Sequence, residues 1–247
     1  MLNCLVLAAG MSTRLAALTG GAPKPLTPVH GIPVLHRNLR WLSEQGIREV
    51  WINLHYRAAE IKASIGDGSA FGLRVRWSEE NPILGTAGAA KKLERELSTA
   101  EHFALVYGDN VFGFDLQRMV AGHLAAKALR PELLGTVAVF DPQRNPHTGI
   151  AGGRVATSGD GQIAGFVEGQ PDAPGFVNAA CYVLETKILQ RVPPPPQATD
   201  WAREVFPNAL QDGEYLRAHL IEGYCLGIDT PAAHRCAEEL FQNGRVK

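Results

Sequence analysis

From residue 4 to residue 108, short apolar β-rich runs alternate with segments of helical period, and this alternation leaves few topologies open. CLVLAA (4–9) reads as a first strand. A helix over 33–46 opens on Pro33, carries Val34, Leu35, Leu39 and Leu42 on one face, and stops at Gly46. EVWINLH (49–55) is a second strand, AAEIKASIG (58–66) a short helix and LRVRWSE (73–79) a third strand. TAGAAKKLERELS (86–98) is a helix, and FALVYG (103–108) a fourth strand ending at Asp109. Strands that alternate with helices predict a parallel, doubly wound sheet with helices on both faces.

The second half is patterned differently. LLGTVAVF (133–140), IAGGRVAT (150–157), QIAGFVE (162–168) and FVNAACYVL (176–184) are closely spaced strands, which suits antiparallel additions to the sheet. PPPP (193–196) is a stiff surface connector. DWAREVFPNALQDG (200–213) reads as a helix, YLRAHLIEGYCLGI (215–228) as a hairpin-like pair, and PAAHRCAEELFQ (231–242) as a last helix. With no internal repeat or linker, a single α/β domain over 1–247 is expected, its sheet mixed but mostly parallel. A net charge of −1 over 247 residues carries no basic footprint for a nucleic-acid polymer or an anionic membrane. Any phosphate ligand must therefore meet local positive charge. Cys4, Cys181, Cys225 and Cys236 show no zinc or CxxC spacing and read as free thiols of a reducing cytoplasm. The apolar N-terminal run is too short to span a bilayer and lacks a basic flank.

In a parallel α/β sheet, ligands gather beyond the carboxyl ends of the strands. Residues 5–29, LVLAAGMSTRLAALTGGAPKPLTPV, follow the first such end. Gly10 permits a tight turn, and successive loop N–H groups can cradle phosphate. Arg14 offers a planar fork for phosphate oxygens and Lys24 a compact charge. Pro23 and Pro25 restrict the backbone around Lys24. Neither a P-loop nor a G-x-G-x-x-G is present. Asp109 ends the fourth strand, where a carboxylate can hold a divalent cation against phosphate or simply cap the strand. Gly85, Thr86 and Gly88 open the next helix with small residues, suited to backbone contact with a ligand or to close packing. His55 reads as structural, and Trp41, Trp51 and Trp77 as core. Trp201 is a candidate for lining a pocket.

The loop and its Pro-Lys-Pro resemble the signature of the sugar-1-phosphate nucleotidylyltransferases, Leu-Ala-(Ala/Gly)-Gly-x-Gly-Thr-Arg followed by Pro-Lys-Pro-(Leu/Met)-x-Pro-Val. The resemblance runs from Leu5 to about Asp229. It implies a Rossmann-like nucleotidyltransferase fold, without a C-terminal β-helix because no long extension follows. It also implies a nucleotide-binding part over about 1–112 and a sugar-binding part over about 113–235. The nucleotide site would comprise Leu7, Ala8, Ala9, Gly10, Met11, Ser12, Thr13, Arg14, Lys24, Gly85 and Thr86. Asp109, and Asp229 in LGIDTP, would hold Mg²⁺, although Asp-Thr-Pro is also a good helix start. The sugar side would comprise Asp109, Gly149, Glu168, Asn178 and Asp229, and the chemistry would rest on Arg14, Lys24 and Asp109. Two positions depart from the family pattern. Ser12 stands at a usual glycine, and Gly169 at a lysine that contacts the sugar phosphate, with Arg144, Arg154 or Arg203 as candidate substitutes.

The implied reaction is in-line attack by a sugar 1-phosphate oxygen on the α-phosphorus of a nucleoside triphosphate. Nucleotide sugar and pyrophosphate leave. The segments look similar to mannose- and heptose-1-phosphate guanylyltransferases, with the N-acetylmuramate-1-phosphate uridylyltransferases as the alternative. Cytidylyl transfer to an alcohol phosphate also stays open, as does homo-oligomerisation. Outside this class, a metal-dependent glycosyltransferase would want Asp-x-Asp, whereas Asn110 and Val111 follow Asp109. A catalytically silent nucleotide-sugar sensor would be supported only by Gly169.

Overall fold

The computed structural model describes residues 2–10, 20–149, 153–170 and 172–246. In chain order, β1 (Asn3–Leu7) leads to a 3-10 turn at Lys24–Leu26, then β2 (Pro28–Val29), β3 (Ile32–Pro33) and α1 (Val34–Glu44). β4 (Glu49–Leu54), α2 (Ala58–Ile65), β5 (Arg74–Glu79), α3 (Gly85–Lys92), α4 (Glu94–Leu97) and β6 (His102–Tyr107) follow. β7 (Asn110–Phe114), α5 (Leu116–Leu129), β8 (Leu133–Phe140), β9 (Arg154–Thr157), β10 (Ile163–Val167) and β11 (Phe176–Glu185) come next. After a π turn at Trp201–Val205 come α6 (Phe206–Gln211), β12 (Tyr215–Leu220), β13 (Gly223–Gly227) and α7 (Pro231–Gln242).

Among the described residues nine strands form one mixed sheet, with the path β10-β9-β11-β6-β1-β4-β5. β1 pairs in parallel with β4 and β6, and β4 with β5. β11 runs antiparallel to β6 and to β8, and β12 extends the sheet parallel to β8. Two-residue periodicity builds both faces. Along β1, Cys4 and Val6 pack with Leu35, Leu39 and Leu42 of α1 on one side. Leu5 and Leu7 pack with Ala87 and Ala90 of α3, Trp201 and Phe206 on the other. All of these except Leu7 are fully buried, as a sheet covered on both faces requires.

The helix expected over 86–98 is two pieces broken at Leu93. Residues 110–132, to which the sequence assigns no element, form β7 and α5. Leu124 and Leu129 of α5 are exposed while only Leu116, Met119 and His123 are buried, so its apolar pattern shows little helical face. The hairpin-like pair over 215–228 is not a hairpin. β12 joins β8, whereas β13 crosses to β7 and forms a separate antiparallel ribbon. Two glycines permit that ribbon: a Cβ on Gly223 would lie 2.0 Å from the Gly113 oxygen, and one on Gly113 2.2 Å from the Tyr224 ring. α7 covers the ribbon through Leu240 and Phe241, which pack with Val111 and Leu226.

Candidate active site

The chain leaves β1 through β4 to β5, then returns to place β6 on the other side of β1. This reversal opens a crevice between the carboxyl ends of β1 and β6. Gly108 keeps the two ends close. Its N–H donates to the Leu7 oxygen at 2.7 Å, and a Cβ there would lie 2.9 Å from that oxygen. Ala8, Ala9 and Gly10 continue from β1 and Asp109 from β6. Arg14, with Met11, Ser12 and Thr13, lies outside the described residues.

Lys24 reaches the crevice from its 3-10 turn, with Pro23 and Pro25 on either side. α7 buttresses the neighbouring β2–β3 hairpin: His234 Nε2 bonds the Pro28 oxygen at 2.7 Å, and Glu238 Oε1 accepts from the His30 N–H at 2.9 Å. The register of the β7–β13 ribbon sets Asn110 opposite Gly227, which brings Asp109 and Asp229 together. Lys24 Nζ donates to Asp109 Oδ2 at 2.7 Å and to Asp229 Oδ1 at 2.8 Å. The ammonium is buried, and burial alone would lower its pKa. The two carboxylates outweigh that and raise it, so the site holds a permanent cation between two acids. Asp229 does not cap α7. Thr230 does, its Oγ1 accepting from the Ala233 N–H at 3.1 Å.

Two clefts meet at Tyr107 and Asp109. The smaller, of about 180 Å³, is lined by Leu7, Ala9 and Gly10 on one side and by Ile83, Gly85 and Thr86 on the other. The larger, of about 380 Å³, gathers Gly149, Glu168, Asn178 and Asp229 with Asp109, Asp200 and Arg203. Ala8 lines neither cleft and packs into the core beneath the loop. Asn178 is held by the bulge in β11, its Oδ1 accepting from the Ala180 N–H at 2.9 Å and its Nδ2 donating to the Tyr182 hydroxyl at 3.0 Å. Burial raises the Glu168 pKa, and Arg203, its Nε 4.0 Å away, offsets this in part.

Of the three arginines, only Arg203 lines the larger cleft. Arg154 is buried with Nη1 on the Gly175 oxygen, and Arg144 is exposed beside Asp141. Gly169 has φ +72°, a conformation that disfavours a lysine there. Trp201 is fully buried beside Phe206 and lines neither of the two clefts, because Asp200 caps its turn and the indole packs inward. Gly85, at φ +73°, answers to packing as well as to the cleft, since a Cβ would lie 2.5 Å from the Thr199 oxygen. That oxygen accepts from the Ala87 N–H at 2.8 Å and fastens the start of α3. Gly85→Ala is expected to cost about 2–4 kcal/mol from left-handed strain and overlap. Thermal unfolding checks this, and an unchanged Tm would contradict it.

Residues 3–226 match the family described as nucleotidyl transferase. The chain belongs to that family. Mannose-1-phosphate guanylyltransferase of Mycobacterium tuberculosis is 35% identical over 214 residues, covering 86% of this chain and 56% of that protein. This nucleotidyl transferase chain thus spans little more than half the length of that relative. D-glycero-alpha-D-manno-heptose 1-phosphate guanylyltransferase of Aneurinibacillus thermoaerophilus is 28% identical over 189 residues, 76% of this chain and 77% of its own. In fold, the chain is similar to the crystal structure of HddC from Yersinia pseudotuberculosis complexed with GMP-PN. The TM-score is 0.79 at 23% identity, over 98% of this chain and all of that one.

Four residues of the candidate site escape the sequence reading. Asp200 caps Ala202 and Arg203 through Oδ1 and accepts from the Thr86 hydroxyl at 2.9 Å through Oδ2, joining the two clefts. Tyr107 lies between the clefts with its ring edge-on to Tyr182, and burial drives its pKa up. Asn53 lines the smaller cleft, and Glu80 lies buried behind it. Only Asp200 carries a sequence signal, as an acid three residues ahead of Arg203 at a helix start.

Proposed function

We propose that the chain transfers a nucleoside monophosphate from a triphosphate to a sugar 1-phosphate, with release of pyrophosphate, and that guanylyl is the group transferred. The observation that carries this reading is Lys24 held between Asp109 and Asp229 where the two clefts meet. The smaller cleft takes the nucleotide and the larger the sugar phosphate, so the α-phosphorus and its nucleophile come together at Asp109. Both guanylyltransferase relatives support the choice of base. The two parts, about 1–112 and 113–235, act as one domain in this reading, and the enzyme works in the cytoplasm. None of the described helices is long and apolar enough to cross a membrane.

A sugar phosphate oxygen is already an anion, so the chain needs no strong general base. Catalysis rests on alignment and on neutralising charge. Arg14 takes the departing pyrophosphate and Lys24 the α-phosphate oxygens. Glu168 and Asn178 accept and donate hydrogen bonds to sugar hydroxyls, and Arg203 binds the sugar's phosphate in place of the lysine missing at Gly169. Asp109 and Asp229 suit Mg²⁺, because two carboxylates converge on one cation position. Among the described residues no third His, Cys, Asp or Glu joins them, so phosphate oxygens and water would complete the shell that ion prefers. Bound there, Mg²⁺ supplies charge neutralisation at the phosphates and a second partner for both acids.

Pyrophosphate release over a panel of GTP, UTP, CTP, ATP and dTTP with sugar 1-phosphates tests the assignment. Turnover with GTP and mannose or heptose 1-phosphate is expected. Turnover with UTP and N-acetylmuramate 1-phosphate instead would shift the base and sugar, and binding without release from any pair would make the protein a sensor. Arg203→Ala is expected to raise KM for the sugar phosphate about tenfold, the cost of one charge-assisted contact, with KM for the triphosphate unchanged. Equal KM values in wild type and variant would remove Arg203 from the phosphate subsite.

A further inference from the structure

Glu80, behind the smaller cleft, is a buried carboxylate, only 4% exposed, yet no lysine or arginine pairs with it among the described residues. Its two oxygens face two donors on different elements. Oε1 accepts from Asn53 Nδ2 at 2.8 Å, and Oε2 accepts from the Leu84 N–H at 2.9 Å. Asn53, buried at the end of β4, in turn accepts the Ala8 N–H on Oδ1 at 2.7 Å. A single line of hydrogen bonds thus runs from the backbone of the first loop, through Asn53 and Glu80, to the backbone just before α3. Its two ends are the two walls of the smaller cleft: Ala8 lies between Leu7 and Ala9, and Leu84 between Ile83 and Gly85.

The order of donors and acceptors in this line admits one assignment. Ala8 offers an N–H, so the Asn53 amide must turn its oxygen that way and its NH₂ toward Glu80. Leu84 offers another N–H from the far side. The residue at 80 must therefore accept at both ends, which a carboxylate does and a glutamine does not. A neutral isostere would set an amide NH₂ against either Asn53 Nδ2 or the Leu84 N–H, two donors face to face at a buried position. That requirement explains why a carboxyl group, rather than an amide, is buried here without a lysine or arginine partner among the described residues.

We propose that Glu80 is a positioning residue that, through Asn53, sets the spacing between the two walls of the smaller cleft and so controls affinity for the nucleoside triphosphate. The proposal rests on the nucleotidyl-transfer reading for the identity of the ligand but not for the geometry. It predicts a reversal that simple loss of packing would not produce. With Asn53→Asp and Glu80→Gln together, the new carboxylate at position 53 accepts from the Ala8 N–H and from the new amide at position 80. The oxygen of that amide then accepts from the Leu84 N–H. The line is complete again with the same total charge.

The test compares wild type, Glu80→Gln and Asn53→Asp/Glu80→Gln by steady-state kinetics with GTP, Mg²⁺ and mannose 1-phosphate. Hydrogen exchange at the Ala8 and Leu84 amides is followed in parallel. Glu80→Gln is expected to raise KM for GTP at least about tenfold, with KM for the sugar phosphate within about twofold, and to lose protection at both amides. The double variant is expected to restore protection at both amides, and this is the deciding readout because the carboxylate moved to position 53 lines the cleft and weighs on KM for GTP by its own charge. An unchanged KM for GTP in Glu80→Gln overturns the proposal, as does a double variant in which the Ala8 and Leu84 amides stay unprotected or that does not fold. If Glu80→Gln itself fails to fold, the comparison of double variant with wild type decides. A wild type that releases no pyrophosphate refutes the nucleotidyl-transfer reading instead, and amide exchange then decides whether the line exists.

Discussion

Lys24→Ala is expected to lower kcat by about 10²–10³-fold, the usual cost of removing one preorganised charge from a phosphate or oxyanion site. The ammonium bonds both Asp109 and Asp229, and its surroundings hold it charged. Removing it leaves two acids of like sign side by side and takes a cation from the place where triphosphate and sugar phosphate would meet. Both acids keep partial access to water, with side chains 32% and 22% exposed, so rehydration limits the structural cost. Tm should fall by no more than a few degrees. The sign of the Lys24 shift also bears on pH. A raised folded-state pKa stabilises the fold at every pH below the unfolded lysine value and is lost only as pH rises through the folded one. Turnover between about pH 6 and 9 should therefore show no step from this residue. The measurement is kcat against pH for wild type and variant. Near-normal turnover in Lys24→Ala would remove it from the chemistry.

Asp109→Ala and Asp229→Ala should each lower kcat by a similar 10²–10³-fold, on the same order-of-magnitude ground. Because both acids face one cation, the double variant should lose little more than the worse single variant. In either single variant, Lys24 keeps one carboxylate and its burial, so the fold should persist. Titration with Mg²⁺ is the second measurement. Each variant should need more of the ion for half-maximal rate, since one hard oxygen ligand has gone. Losses that multiply in the double variant would mean two independent roles and would sink the shared-site assignment.

Much of the first half was legible because its strands are short and its helices carry apolar residues at 3.6-residue spacing. The place of Gly10 and Asp109 at the cleft edge was legible because they stand just after strands, and that of Gly85 and Thr86 because they open the helix that follows β5. The role of Trp201 was not, since an indole beside a capping Asp200 turns into a pocket or into the core according to packing that lies far along the chain. β7 was missed because Asn110–Phe114 follows β6 almost without a break, and α5 because exposed Leu124 and Leu129 hide its narrow buried stripe. Glu80 and Asn53 offered no signal, being ordinary polar residues until their buried partners are known.

By itself the sequence determined the layered α/β class and the loop residues at the ends of β1, β5 and β6. Both are local consequences of periodicity and of glycine and proline placement. Only the tertiary structure decided that Asp109 and Asp229, far apart in the chain, share one lysine. Their meeting depends on β13 leaving its neighbour β12 to pair with β7, which Gly113 and Gly223 permit by bringing two backbones into contact. Strand pairing of that kind is a choice among distant partners made by packing and hydrogen-bond satisfaction, and no short window of sequence contains both sides of it.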